Sequence, residues 1–147
     1  MKKIAIFAAI MVVGAGVAMA GVLNVPFFLD SQSVNFGANT GVSGQISVKE
    51  LSGVDQTLTV VYTALDATDS PTNQTVTFAL GAFQQVRWNP VQDNTAESAL
   101  GGSIGNLTIA GRVAGSAVIT SGGALAGTYG EIDHQRQGRS LHVLRSN

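Results

Sequence analysis

The chain has 147 residues, no cysteine, and charged side chains at only 12% of its positions, against roughly 25% in ordinary soluble domains. The missing thiols exclude a disulfide framework, zinc–cysteine and iron–sulfur sites, and thiol catalysis together. Once Lys2 and Lys3 are set aside as part of a leader, six basic residues face nine acidic ones, and apart from Arg136 and Arg139 the basic residues are scattered, which argues against a nucleic-acid partner.

The chain opens with Met1-Lys2-Lys3, an apolar run over 4–17, and Ala18-Met19-Ala20. A positive start, an apolar centre and small residues at Ala18 and Ala20 predict a secretion signal, residues 1–20, cleaved before Gly21. A membrane-spanning helix needs ~20 apolar residues, a length reached here only by counting the cleavage site itself. The remaining 21–147 make a single domain, large enough to bury a core without a staple. Its expected compartment is the periplasm or the cell exterior.

Residues 22–29 read as a strand with Leu23, Val25, Phe27 and Leu29 on one side and Phe28 opposite; Pro26 points to an edge strand or a bulge. Residues 44–51 place Ile46 and Val48 inward. The clearest segment is 56–65, QTLTVVYTAL, in which Leu58, Val60, Tyr62 and Ala64 alternate with Thr57, Thr59, Val61 and Thr63. A cluster of turn formers over 66–73 leads to a second alternating run, 74–80, so the pair predicts a hairpin. Residues 84–88 put Val86 and Trp88 together, opposite Gln85 and Arg87. Further strands are expected at 107–113, 116–121, 125–132 and 140–145, with Gly101-Gly102 and Gly122-Gly123 as punctuation. No part of 21–147 holds an apolar 3.6-residue period with caps. Some seven to nine short strands with turn signals between them predict an all-β antiparallel sandwich, immunoglobulin-like or jelly-roll-like, in preference to a barrel.

The connection 89–106 is too long for a simple turn and carries Asp93 and Glu97 among its glycines. Loops of this length are either functional or merely irregular surface, and both readings stand. Asn24-Val25-Pro26-Phe27-Phe28-Leu29, Val60-Val61-Tyr62-Thr63 and Val86-Arg87-Trp88-Asn89-Pro90-Val91 resemble segments of secreted bacterial β-proteins with no assigned activity. That resemblance implies an exported β-domain and no particular chemistry.

Catalytic patterns are thin. No G-x-S-x-G elbow surrounds Ser103, and neither a P-loop nor a G-x-G-x-x-G occurs. Asp93 and Glu97 could be drawn as a carboxylate pair, but their separation is unreadable. His134 and His142 would approach each other if a tight turn fell near Gly138, and with Glu131 and Asp133 they could then bind a metal. Asp66, Asp69 and Asn73 are oxygen donors without the spacing of a calcium loop, and turns favour the same residues for backbone reasons.

Two functions of different class follow. One is a non-enzymatic structural or interaction module of the envelope or exterior, without a cofactor, self-assembling through edge strands, with 22–29 (Phe27 and Phe28 included) nominated. The other is a small-ligand or glycan-binding module using Trp88, Arg87 and the 89–106 loop with Asp93 and Glu97, although a lone tryptophan that shares parity with Val86 fits a core position better. A metal-dependent enzyme using His134 and His142 comes third.

Overall fold

Alternating β-branched and polar residues set most of the structure. The computed structural model describes residues 20–30, 41–65, 70–91, 114–133 and 138–144, which contain eight strands and no helix. These are β1 (Gly21–Leu29), β2 (Val42–Glu50), β3 (Gln56–Leu65), β4 (Pro71–Leu80), β5 (Gln85–Trp88), β6 (Ala114–Ser121), β7 (Leu125–Asp133) and β8 (Gly138–Leu144). They form two four-stranded sheets, ordered β1-β6-β3-β4 and β5-β2-β7-β8, with every pairing antiparallel. The architecture is a β-sandwich, as the turn spacing predicts. The expected strand 107–113 lies outside the described residues, as do Asp66, Asp69, Asp93, Glu97 and His134.

The core forms where the inner faces meet. Ile46 and Val48 of β2, Leu58, Val60 and Tyr62 of β3, and Ile119 of β6 are all buried. Val86 and Trp88 share the inner face of β5 as their parity predicts. The Trp88 indole N–H donates to the Tyr62 hydroxyl at 2.6 Å, and the Phe78 ring meets the indole edge-to-face at 5.5 Å. A buried indole needs such a partner, because an unmatched N–H would carry its full desolvation cost.

Two predicted strands are corrected. The strand expected at 74–80 begins at Pro71 and pairs with β3 in unbroken register from Leu65↔Pro71 to Gln56↔Leu80. Asn73, read as a turn residue, is therefore in a strand, where its Oδ1 accepts from Thr63 Oγ1 at 2.8 Å. In β1 the expected face of Leu23, Val25, Phe27 and Leu29 breaks after Val25. Val25 pairs with Ala117 and Phe28 with Gly115, so Pro26 and Phe27 together oppose one residue of β6. This bulge sits where proline has no N–H to give, and it reverses the parity of the strand. Phe28 turns into the core and meets Tyr62 edge-to-face at 5.9 Å, while Phe27 is 56% exposed. Gly115 makes room for this, since a Cβ there would stand 3.1 Å from Phe28 Cζ and 2.6 Å from the Thr63 carbonyl oxygen.

Buried polar groups tie both ends of β2. At its start Asp30 accepts from the N–H groups of Gly44 and Val91 (3.3 and 2.9 Å), and the Asn89 amide donates to the Gly44 carbonyl at 2.7 Å. At its finish the carboxylate of Glu50, itself fully buried, accepts from the Ser52 hydroxyl and N–H. It also accepts from the Gly53 and Phe83 N–H groups, each at 2.9 Å. Phe83 adopts a positive φ of 57°, which bulky residues seldom do. That turn aims its N–H at Glu50, and its ring lies over Gly53, where a Cβ would approach within 2.6 Å. Burial by itself raises the Glu50 pKa, but the hydrogen bonds from the Ser52 side chain and the N–H groups of Phe83, Gly53 and Ser52 outweigh it and hold the carboxyl at about 2.

Candidate functional site

The edges of the two sheets at β1 and β8 lie beside each other, and the seam between them is only partly closed. At one end Leu23 of β1 and Leu144 of β8 both close over Gly127. Gly127 permits this: a Cβ there would stand 2.7 Å from Leu23 Cδ1 and 3.3 Å from Leu144 Cδ1. Beyond that point the seam opens into a groove of about 590 Å³.

β8 pairs with β7 without a bulge, from Gly127↔Leu144 to Asp133↔Gly138, and among the described residues it has no other strand neighbour. Alternation points Ser140, His142 and Leu144 toward β1, and Arg139, Leu141 and Val143 to the outside. Only Leu144 is buried. Leu141 and Val143 are 72% and 74% exposed, and Ile132, cross-strand from Arg139, is also exposed on this outer face.

The bulge in β1 supplies one wall of the groove, Pro26 and Phe27. β7 supplies Tyr129 and Glu131, and β8 supplies His142 and Val143; Asn24 stands beside Pro26 on the β1 side. Tyr129 and His142 are direct cross-strand partners, and their rings stack with centroids 6.4 Å apart and planes at 16°. The Tyr129 hydroxyl accepts from the Leu29 N–H at 2.9 Å and donates to Glu131 Oε1 at 2.6 Å. Burial first, then the bond to the Glu131 carboxylate, raises the Tyr129 pKa far above the ordinary phenol range, so the hydroxyl remains a donor. The sheets are thereby pinned to each other at Leu29, and the Glu131 carboxylate is fixed at the groove.

The residues singled out from the sequence are dispersed. Trp88 has no exposed surface, so the stacking platform proposed for it is replaced by a core role. Arg87 is exposed on the outer face of β5, the edge of its sheet farthest from β8. Phe28 is a core residue, and only Phe27 reaches the groove. Asp93 and Glu97 lie outside the described residues. The closing pair of the β7–β8 hairpin is Asp133↔Gly138, and His142 stands opposite Tyr129. The hairpin centre therefore precedes Gly138, and the symmetric placing of His134 and His142 about that glycine does not hold. Among the described residues no three His, Asp or Glu side chains gather as a metal set.

Sequence reasoning named Glu131 and His142 within a candidate metal set but missed Tyr129, which bonds one and stacks on the other. Its signal was the period-2 spacing of Tyr129 and Glu131, with a hairpin centre set between residues 133 and 138. No protein-family model, curated protein or solved structure matches the chain.

Proposed function

We propose that this protein is an exported, non-enzymatic interaction module whose copies join by adding strand to strand at β8. The observation that carries the reading is the exposure of Leu141 and Val143 on a regular edge strand. Natural sheets blunt their edges with bulges, prolines, charges or short strands. β1 has a bulge and Pro26, β5 has only four residues, one of them Arg87, and β4, a regular edge, opens on Pro71 and exposes no large hydrophobic side chain. β8 carries Arg139 near its start, but its second half, Leu141 to Leu144, has neither proline nor bulge.

Strand addition supplies affinity through main-chain hydrogen bonds and selectivity through alternate side chains. Antiparallel pairing of two β8 strands about a twofold axis gathers Leu141 and Val143 of both copies into one apolar strip and closes as a dimer. The terminal strand β1, nominated from the sequence, keeps its edge position, but its bulge suits it to line the groove.

Because the chain has no cysteine, introduced cysteines report contacts between copies cleanly. The Leu141→Cys, Val143→Cys double variant, which places a cysteine opposite another copy's cysteine whether the axis falls at 141, 142 or 143, is expected to give disulfide-linked dimers on mild oxidation, and Gln85→Cys on β5 is expected to stay monomeric. Equal cross-linking of the β8 and β5 variants, or none at β8, would overturn the reading.

A further inference from the structure

We infer that the groove between β1 and β8 binds an alkyl cation of the lysine side-chain type, with Glu131 as its counter-ion. The groove's volume lies within the range of small-ligand sites, and it combines apolar walls with a few convergent polar groups as such sites do. Glu131 is the acid among its lining residues. One carboxylate oxygen is occupied by the Tyr129 hydroxyl, which the Leu29 N–H holds from the other side. The second oxygen is left for a ligand, and no lysine or arginine among the described residues pairs with it.

The walls fit an aliphatic stem. Phe27 presents an exposed ring from the bulge, and Pro26 and Leu144 line the same groove. A cation beside an aromatic face gains from the ring quadrupole as well as from the carboxylate. An ammonium brings three donors and no acceptor; Glu131 on the β7 side offers its carboxylate, and Asn24 lines the groove from the β1 side. A carboxylate ligand would meet Glu131 as a like charge, and a neutral alcohol would lack the ionic contact. The inference does not depend on pairing at β8, because a monomer presents the same groove.

The test is a titration of the isotope-labelled protein with hexylammonium, 1-hexanol and hexanoate, followed by the backbone amide signals of 141–144 and 129–131. Hexylammonium is expected to give saturable shifts, hexanol to bind roughly fivefold or more weakly, and hexanoate to give none. Glu131→Gln, which retains an acceptor for Tyr129, is expected to bring hexylammonium down to the hexanol level. Phe27→Ala, altering an exposed ring, is expected to weaken both ligands while leaving the fold intact. Equal binding of hexanol and hexylammonium, unchanged binding by Glu131→Gln, or no saturable shift with any of the three would overturn the inference. Monomeric protein that still binds hexylammonium would support the groove and count against the pairing at β8.

Discussion

The Glu50 end of the sandwich and the β1–β8 seam meet the same problem in opposite ways. Each is a place where a sheet stops and leaves groups in want of partners. At Glu50 the unmet groups are polar, and the chain satisfies them itself: one buried carboxylate gathers donors from the 51–55 and 81–84 turns. At the seam the unmet groups are apolar side chains and the free edge of β8, and among the described residues nothing covers them. A closed end of the first kind belongs to stability. An open seam of the second kind is where a partner or ligand gains most by binding.

That contrast can be broken most severely through the rings. Trp88→Ala removes a fully buried indole and its hydrogen bond to the Tyr62 hydroxyl, so it is expected to cost about 3–5 kcal/mol and leave little folded protein. Phe27→Ala at the seam is expected to stay within about 0.5 kcal/mol of the parent. Chemical denaturation of both variants reads the difference.

The next largest effect is expected at Glu50. Its folded pKa of about 2 lies below the ordinary carboxyl value of 4.5, so its contribution is complete above the unfolded pKa and is lost as pH falls from about 4.5 through about 2. Glu50→Gln is expected to lower the melting temperature at neutral pH and to flatten its decline across that acid window. A variant that melts with the same acid dependence as the parent would show that the turns do not rely on this carboxylate.

A smaller effect is expected at Gly127, where the seam does close. Gly127→Ala crowds Leu23 and Leu144 and is expected to cost about 1–3 kcal/mol by overpacking, measured by the same denaturation. The smallest effect on stability is expected from Leu141→Lys with Val143→Lys, roughly 0.5 kcal/mol or less for each exposed site.

How far the sequence reveals all this differs between the two regions. Alternation is a local signal, so 56–65 and the inward pair Val86 and Trp88 are legible residue by residue. β1 is not, because a bulge shifts parity by one and periodicity has no means of registering it; Pro26 signals the break but leaves open which phenylalanine turns inward. Glu50 looks like an ordinary strand end, and only the Ser52-Gly53 that follows hints at a nest of donors around it. The groove is the least legible feature. It depends on β1 and β8, more than a hundred positions apart, meeting as neighbouring edges of different sheets, and that follows from strand order alone.

The central claim is that the free edge of β8 is an association surface. It is tested most directly by the size distribution of the purified protein, measured by light scattering over a concentration series, beside the Leu141→Lys, Val143→Lys double variant. The parent is expected to shift from monomer to dimer as concentration rises, while the variant stays monomeric with an unchanged melting temperature. A parent that remains monomeric throughout, or a variant that associates as the parent does, would contradict the account.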